Sequence, residues 1–572
     1  IWTSGIGNIS TNNFTTTYLD LLKPKLFSKA SPTDDDVTDL INFVRGLDSY
    51  DEDDDGNTSE SRHKLGDIYH SDINIVGAPE GSIDYNTEYQ TAFYRSENNY
   101  SRFKAQYRNR KEVVYAGAND GMLHAFDASS GKELWAFIPP SLLPKLSTMV
   151  SVKANSSNSI YGVDGSMVVK DIYYDDPTDS TSNRVWKTIL MSGLGSGGHS
   201  FFALDVTDPD DPKHFFTIQN DPFDEMVTIW DANGDAEIFS YTSSMKLEND
   251  YRKLGETWSA PRIIKMKIGS TEKWVAVAGG GYNGATNPNY GSAVFIIDLE
   301  NRGKLLNKVD ITDKSNIDIV NSVPADLTLI TADGTENAKY HGALVYVADL
   351  EGKITKVNLT DKGNLYDTTE IFNSESTSAN GRYVYKNTEA TIINDALWLY
   401  YGTGNTQKLQ DKNQNTLNRV YGIKDKYFPN FTPVAKSPTI KQCKTAPTCP
   451  NSSDIGWYVN LRNGQRLSAA PTVDKDRVYF PLYEPTQGAN ICNPGKAILR
   501  AYNAKCGNSV LNVNLGAGVL SKVVVEGSDL YLGIAGEADT KGGFTSTGNL
   551  ITGKSQAKGS GGKVQLEGWK EN

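Results

Sequence analysis

An acidic segment near the start of the chain carries oxygen ligands at the spacing of a calcium-binding loop. Carboxylates alternate along it, and Gly56 follows them where such a loop needs a sharp turn. Calcium takes roughly six to eight hard oxygen ligands, and alternating carboxylates can wrap around one ion. The candidate ligands are Asp51, Asp53, Asp55, Asn57, Ser59 and Glu60. We therefore predict a calcium site here, with a solvated acidic loop as the alternative.

The segment departs from the EF-hand loop at its last ligand. Arg62 occupies the twelfth position, where that loop has a bidentate Glu. Glu60, or Ser59 through a water molecule, would have to complete the coordination shell. The site is therefore predicted as a variant of the loop.

A second acidic segment has similar alternation but lacks the turn glycine. Its candidate calcium ligands are Asp231, Asn233, Asp235 and Glu237. Ala236 occupies the glycine position, and Phe239 replaces a ligand at the ninth position. An ordinary Asn-Gly hairpin turn is the alternative, and it explains the segment nearly as well.

The four cysteines lie close together in the last third of the chain. They are Cys443, Cys449, Cys492 and Cys506. An even number of clustered cysteines in loop-rich sequence favours two disulfides and an oxidising compartment. Of the three possible connectivities we expect Cys443–Cys449 and Cys492–Cys506, because each pair brackets a turn. Zinc is the alternative, but the spacings do not match the usual pairs of zinc ligands.

Other motifs do not indicate an enzyme. The run from Gly193 to Gly198 matches a dinucleotide fingerprint by letters, but a strand follows it instead of a helix, so we predict a hairpin turn. The six histidines lack metal-binding spacing, and no Gly-x-Ser-x-Gly elbow occurs. No cofactor other than calcium is predicted.

These residues are carried by hairpins that repeat along the chain. The clearest unit runs from Val113 to Trp135, with β-forming residues at Val113–Tyr115 and an Asn-Asp-Gly turn at Asn119–Gly121. An alternating strand and a second turn follow. Weaker copies lie at 186–206, 273–298, 343–359, 396–424 and 477–503, with a truncated copy at 529–535.

The repeats predict an all-β fold. Each hairpin has an apolar face to bury, and radial repetition buries it against its neighbours. We predict a modified β-propeller of about seven blades, with long inserted loops because the repeat spacing is roughly 55 to 80 residues. Several separate β-sandwiches are the alternative. The segment 562–569 alternates as a strand that closes the ring would.

The chain is divided into two predicted parts. Residues 1–65 form an N-terminal extension with the acidic loop and a short helix from Thr33 to Gly46, and residues 66–572 form the propeller. The net charge of −12 argues against a nucleic-acid or anionic-membrane surface, and no apolar run has the length of a membrane span. Because the chain begins at Ile1, we expect it to be a fragment.

Several motifs together resemble the PilC/PilY family of surface-associated type IV pilus factors. The string from Tyr115 to Asp127 is similar to a signature of that family. The motifs that agree with it, in order, lie at 65–71, 76–79, 161–166, 193–198, 254–262 and 279–284. The family often carries a short calcium loop before a blade strand, but residues 331–340 lack its alternating acids, so no site is predicted there.

The resemblance implies the C-terminal propeller of a calcium-binding, pilus-tip adhesin and biogenesis factor without enzymatic activity. Such a protein promotes pilus assembly, opposes retraction, and supports twitching motility and adherence to host cells. Its implied partners are minor and major pilins and a host-cell receptor or matrix. It is exported through the periplasm to the cell surface and pilus tip, with possible association with the outer membrane. We expect the family's variable N-terminal region to lie outside this sequence.

Two further functions are weighed against this one. The stretch from Ala125 to Trp135 also resembles a repeat of quinoprotein (PQQ) dehydrogenases, which are calcium-binding propellers. That repeat is convincing once, and the adjacent cysteine pair of many such enzymes is missing. The other alternative is a scaffold that only binds partner proteins, which differs little from an adhesin in sequence.

Overall fold

A computed structural model of the chain describes most of the sequence. The described residues are 2–3, 13–27, 31–84, 90–150, 158–175, 184–284, 290–313, 318–331, 342–394, 396–411, 417–486 and 494–558. Within them the chain forms six β-sheets and a few short helices. The prediction of an all-β chain with a short N-terminal helical segment is confirmed.

The α-helices of the described residues lie within the first 146 positions of the chain. They are α1 (Leu19–Leu26), α2 (Asp34–Arg45), α3 (Gln90–Glu97), α4 (Tyr100–Gln106) and α5 (Leu143–Leu146). The predicted helix is α2, which begins at a capping box of Thr33 with Asp36 and ends at Gly46, whose φ is +100°. Helices α3 and α4 were not predicted, and they lie in the segment assigned to the propeller.

The first two sheets contain the residues from β1 to β11. The first sheet orders β1 (Trp2–Thr3), β5 (Glu133–Ile138), β4 (Leu123–Asp127), β3 (Val113–Gly117) and β2 (Asn74–Val76). The second orders β11 (Ala236–Ser240), β10 (Met226–Trp230), β9 (Lys213–Asp221), β8 (Ser200–Asp205), β7 (Arg184–Gly193) and β6 (Met167–Asp175). Their pairings are antiparallel except for β1 with β5.

The third, fourth and fifth sheets follow in chain order. The third orders β12 (Arg262–Ile268), β13 (Thr271–Gly279), β14 (Ala293–Asp298) and β15 (Lys304–Asp310). The fourth orders β16 (Thr328–Thr331), β17 (Gly342–Ala348), β18 (Lys353–Thr360) and β19 (Thr368–Asn373). The fifth orders β20 (Glu389–Ile393), β21 (Ala396–Gly402), β22 (Arg419–Asp425), β24 (Gly456–Asn460) and β23 (Cys443–Thr445).

The sixth sheet merges two of the predicted units. Its main path orders β25 (Arg466–Leu467), β27 (Arg477–Glu484), β28 (Lys496–Asn503), β29 (Ser509–Leu520), β31 (Asp529–Ala538), β33 (Leu550–Lys554) and β32 (Thr545–Thr547), with β26 (Thr472–Asp474) on β27 and β30 (Val524–Glu526) on β31. The end of β31 pairs with β29 and its beginning pairs with β33. The truncated seventh unit is therefore joined to the sixth through the shared strand β31.

Consecutive sheets pack face to face, so hydrophobic clusters lie between them. One cluster joins Phe137 of the first sheet to Phe202 of the second, and the next joins Met191 of the second to Phe295 of the third. Further clusters join the third sheet to the fourth, the fourth to the fifth, and the fifth to the sixth. Because both faces of an internal sheet are covered, strands such as β8 are buried along their whole length.

Glycine ends the second strand of several sheets because the backbone of the next unit lies against it. A Cβ atom on Gly117 would lie 2.3 Å from the carbonyl oxygen of Val163. On Gly193 it would lie 2.4 Å from the carbonyl oxygen of Thr257. These distances are far below van der Waals contact, so the close spacing of successive units depends on glycine.

The N-terminal extension packs on the first sheet. Leu22 of α1 and Leu40 of α2 belong to the same buried cluster as Val113 and Phe137. In the described part of the chain, no helix has the length and apolar character needed to cross a membrane. The segment 562–569, predicted as a closing strand, lies outside the described residues.

Candidate functional site

The first acidic segment is a loop closed at its base by backbone pairing. The αL turn at Gly46 ends α2, and Leu47 then forms an antiparallel bridge with Ser61. The amide of Asp48 donates to the carbonyl oxygen of Glu60 at 2.9 Å, and the amide of Arg62 donates to that of Gly46 at 3.0 Å. The loop therefore begins and ends on a fixed base.

This closure brings predicted ligands together. Carboxylate oxygens of Asp53, Asp55 and Glu60 lie within 4.8 Å of one another, and so do those of Asp48, Asp51 and Asp53. Asp48 was not among the predicted ligands; it is buried at the base of the loop and precedes the alternating acids. Only its distance from the other carboxylates reveals it.

Hydrogen bonds within the loop show which oxygens are already engaged. Asp51 Oδ1 accepts from the amides of Asp55 at 3.0 Å and Gly56 at 3.1 Å. Asn57 Oδ1 accepts from both the amide and the hydroxyl of Ser59, so these two predicted ligands face each other. The structure thus groups four of the predicted carboxylates and leaves Asn57 and Ser59 paired beside them.

The electrostatics of the loop fit a cation. The nearby charge of Asp55 raises the pKa of Glu60, with burial, Asp53, Asp48 and Asp51 acting in the same direction. A bound cation would relieve this repulsion. Arg62, at the position of the expected bidentate Glu, instead pairs with Glu52, with Nε 2.6 Å from Oε2. The carboxylates present fit a calcium ion, although the twelfth-position ligand is replaced.

The second acidic segment is a tight hairpin turn between β10 and β11. Asp231 Oδ1 accepts from the amides of Asn233 at 2.8 Å and Asp235 at 2.9 Å, and Gly234 has a φ of +79°. Glu237 Oε2 lies 2.5 Å from Lys304 Nζ. The Asp231 carboxylate is therefore engaged in the turn and Glu237 in an ion pair, and the four predicted ligands are not among the carboxylate groups that the described residues bring together.

One disulfide is present among the described residues, and its pairing differs from the expected one. Cys449 bonds to Cys506 with a Cα–Cα distance of 4.2 Å, so the prediction of Cys443–Cys449 is wrong. Cys443 is a free thiol whose pKa burial raises to about 12. The predicted pair Cys492–Cys506 is also wrong, because Cys506 is bonded to Cys449. Cys492 itself lies outside the described residues.

The reason for this pairing is the packing around Trp457. A Cβ atom on Gly507 would lie 2.7 Å from the ring of Trp457 and 2.9 Å from Cβ of Ala446. The loops that carry Cys449 and Cys506 are thus adjacent at this tryptophan. Local sequence spacing does not contain that information.

The glycine-rich run from Gly193 to Gly198 is the turn between β7 and β8, as predicted. The amide of Gly197 donates to the carbonyl oxygen of Leu194 at 2.8 Å, closing the turn. A Cβ atom on Gly197 would lie 1.8 Å from the carbonyl oxygen of Gly162. The glycines therefore allow close approach of the preceding unit.

The hairpin of β3 and β4, which we call the signature hairpin because it carries the string from Tyr115 to Asp127, anchors the segment that precedes it. Asp120 Oδ2 accepts from the amide of Gly66 at 2.8 Å, and Asn119 Nδ2 donates to Asp67 Oδ2 at 2.9 Å. Asn119 Oδ1 also accepts from the amide of Gly162 at 3.0 Å. Motifs that are far apart in sequence thus meet at the turn of this hairpin.

A buried histidine supports the anchor. His124 Nε2 lies 3.0 Å from Asp120 Oδ2, and its Nδ1 lies 2.6 Å from Glu133 Oε1. Burial alone would lower the pKa of His124, but the hydrogen bonds and charges of both carboxylates outweigh it and raise the pKa to about 9. The imidazolium holds Asp120 in the position that receives Gly66.

Aromatic side chains from three of these motifs, together with Tyr383 and Tyr385, form two neighbouring sets of ring contacts that we call the aromatic arc. It comprises Tyr69, His70, Trp258, Tyr282, Tyr383 and Tyr385. Ring centroids lie 3.9 Å apart for Tyr69 and His70, and 4.8 Å apart for His70 and Trp258. Tyr385 lies 5.7 Å from Tyr282 and 6.3 Å from Tyr383.

Ionisable residues from several sheets meet in a second group, the central charge group. It comprises Asp72, Arg262, Asp326, Lys386, Glu389 and Lys522. Arg262 Nη2 lies 3.3 Å from Asp326 Oδ2, and Lys522 Nζ lies 3.0 Å from Glu389 Oε2. Asp72 is exposed to solvent, yet the protein around it desolvates the carboxyl enough to raise its pKa, and Asp326, Arg262 and Lys386 also act on it.

The central charge group brings together residues that lie in, or next to, strands of the first, third, fourth, fifth and sixth sheets. Most of its members precede or begin the first strand of their sheet. Repetition around a common axis requires such convergence, because first strands line the axis of a propeller. Closure of the sheets into a ring stays a prediction.

Comparisons with known proteins agree with these motifs. The sequence profile described as "PilY1 beta-propeller domain" matches residues 65–398, more than half of the chain. A type IV pilus biogenesis factor PilY1 homolog of Xylella fastidiosa is 29% identical over 82% of this chain and 31% of its own length. The type IV pilus biogenesis factor PilY1 of Pseudomonas aeruginosa strain UCBPP-PA14 is 30% identical over 56% of this chain and 22% of its own length.

A solved structure shares the fold. The crystal structure of the Pseudomonas aeruginosa PilY1 C-terminal domain aligns with a TM-score of 0.52 and 19% identity, covering 77% of this chain and 94% of that one. The chain spans less than a third of the length of the two curated relatives described above. The profile match, supported by the fold and by the convergence of the motifs, shows that the chain belongs to the PilY1 beta-propeller domain family.

Proposed function

We propose that this chain is the propeller part of a type IV pilus biogenesis factor that acts at the bacterial surface. The observation that carries the proposal is the family match over residues 65–398, because the relatives are named as such factors. The Cys449–Cys506 disulfide supports export through the oxidising periplasm. We propose the pilus tip and the outer membrane as its locations.

In this role the protein promotes pilus assembly, opposes retraction, and supports twitching motility and adherence to host cells. Its partners are minor and major pilins, together with a host-cell receptor or matrix. The long loops between the hairpins support this proposal, because a rigid scaffold with projecting loops is a common way to present binding surfaces.

A deletion strain tests this role. Loss of the gene should abolish surface pili and twitching, and expression of the full-length protein should restore both. Additional deletion of the retraction motor should restore pili but not twitching, because the factor would then have no retraction to oppose. Unchanged piliation after deletion would contradict the proposal, and failure of the motor deletion to restore pili would contradict opposition to retraction.

We also propose that the acidic loop binds one calcium ion. The grouped carboxylates of Asp48, Asp51, Asp53, Asp55 and Glu60 support this, because their mutual repulsion raises the pKa of Glu60. The variant Asp53→Ala/Asp55→Ala should lose one equivalent of calcium in elemental analysis. Asp231→Ala/Asp235→Ala is the matched control and should retain it. Equal calcium content in all three proteins would contradict the proposal.

We propose no catalytic activity. A quinoprotein dehydrogenase needs repeats that this chain carries convincingly once. Addition of PQQ, calcium, a primary alcohol and a dye acceptor to the purified protein gives a direct measurement. Dye reduction above the protein-free rate would overturn this part of the proposal.

A further inference from the structure

The aromatic arc presents aromatic rings to solvent along a continuous path. Tyr69 is 68% exposed, His70 is also exposed, and the other four members of the arc are partly buried. Glu256 connects the two ends of the arc. Its side-chain Oε2 accepts from Trp258 Nε1 at 2.9 Å, and its backbone pairs with that of Tyr282. The arc is therefore one surface.

His70 is held rigidly within the arc. Tyr69 packs against its ring on one side, and Trp258 meets it edge-on with an interplanar angle of 87°. Its Nδ1 lies 2.7 Å from Oδ2 of the buried Asp164, whose Oδ1 accepts from the backbone amide of His70. With Nδ1 engaged, Nε2 is the ring nitrogen left for a ligand, and 41% of the side chain is exposed.

The backbone beneath the arc has little hydrogen-bonding capacity left for an extended peptide. The amides of Glu256 and Tyr282 donate to each other's carbonyl oxygens at 2.7 Å and 3.0 Å. The amide of Gly281 donates to the carbonyl oxygen of Val323 at 3.0 Å. A peptide that binds by strand addition needs unpaired main-chain groups, and these are already paired.

The charges next to His70 and Trp258 are of both signs. Lys145 Nζ donates to the carbonyl oxygens of Tyr161 at 2.7 Å and Gly197 at 3.2 Å, and its charge acts on Glu256. Asp164 is engaged by His70. No cluster of one sign stands among these residues, so a strongly charged ligand gains little from them.

We propose that the aromatic arc is a binding site for an uncharged oligosaccharide. Sugar rings present apolar C–H faces, which stack on Tyr69, on Trp258 and on the tyrosines at the other end. Their hydroxyl groups pair with Glu256 and His70 Nε2. The successive aromatic contacts extend over more than one sugar ring, so the ligand is a chain. This site goes beyond pilus biogenesis and supplies a specific ligand for the adherence proposed above.

The test uses the purified 572-residue chain and a panel of immobilised hexasaccharides. Neutral cello-, chito-, manno- and galacto-hexasaccharides are compared with a heparin hexasaccharide and with short acidic and basic peptides. At least one neutral sugar should bind and should perturb tryptophan fluorescence. Trp258→Ala and Tyr282→Ala should each weaken that binding about tenfold, which corresponds to the loss of one aromatic contact.

Two controls keep the result specific. Phe223→Ala removes an aromatic ring that is 83% exposed and lies outside the arc, and it should leave sugar binding unchanged. Thermal unfolding of each variant checks that the fold is retained, and Trp258→Phe keeps a ring if Trp258→Ala fails to fold. Binding of the peptides or heparin alone, or no neutral sugar bound, would overturn the inference. Piliation of the deletion strain is measured separately, so failure of sugar binding leaves pilus biogenesis standing.

Discussion

At the scale of single residues, His124 is the ionisable group whose state matters most for the signature hairpin. It is 3% exposed and bridges Asp120 and Glu133, and its pKa is raised from the ordinary value of 6.5 to about 9. Because the folded pKa is the higher one, the stabilisation is fully present below pH 6.5. It is lost as the pH rises through about 9.

We therefore expect His124→Gln to flatten part of the pH dependence of stability. A pKa difference of this size corresponds to about 3 kcal/mol, which the variant should lack at pH 6. Urea unfolding between pH 6 and pH 10 measures the free energy of unfolding of both proteins. The difference between them should shrink toward pH 10.

The exposed His63 provides a matched control for this measurement. His63→Gln should follow the wild-type curve throughout the pH range. Parallel curves for the wild type and His124→Gln would contradict the assignment of the bridge as a charged one.

The residues of the candidate calcium site were predictable to the extent that they lie in one short segment. Alternating acids and the turn glycine identified Asp51, Asp53 and Asp55 from sequence alone. Asp48 was missed because its proximity arises from the bridge that closes the loop. The pairing of Cys449 was missed for a similar reason, since it depends on two loops that meet at Trp457.

At the scale of elements, the hairpins were predictable because turn residues and strand alternation are local signals. The predicted units coincide with the paired central strands, such as β3 with β4 and β17 with β18. The helices α3 and α4 were not predicted, because their short segment has few apolar residues in helical periodicity. They are stabilised by packing, as when Tyr100 contacts Trp186 of the second sheet at 4.7 Å.

The junctions between sheets depend on glycines that admit a neighbouring backbone. Gly117→Ala should destabilise the protein by about 1–3 kcal/mol, because the added methyl group would meet Val163 O at 2.3 Å. Gly77→Ala is the matched control, since the nearest atom to its added Cβ would be 3.7 Å away. Denaturant midpoints measure both changes. Equal midpoints for the two variants would contradict close packing at this junction.

At the scale of the whole molecule, sequence repeats predicted stacked sheets but not the pairing that joins the last two units. The seventh unit merges with the sixth because β31 is long enough to pair with both β29 and β33. A repeat pattern reports where a hairpin begins, whereas sheet boundaries depend on which strand edges remain free. The central charge group is likewise invisible in sequence, because its members are separated by long stretches of chain.

The Glu389–Lys522 pair tests whether the sheets converge at a common centre. These residues are 133 positions apart, and their side chains are only 13% and 24% exposed. A double-mutant cycle with Glu389→Gln and Lys522→Met should give a coupling energy of about 1–2 kcal/mol. The local pair Asp539–Lys541, whose side chains are 67% and 66% exposed, is the control and should give less than about 0.5 kcal/mol. A coupling energy no larger than that of the control would mean that Lys522, next to the sixth sheet, does not pair with Glu389 at the start of β20 in the fifth sheet.

The charge of Arg262 in the third sheet also acts on Glu389. Arg262→Met should therefore change the measured coupling energy if three sheets share this centre.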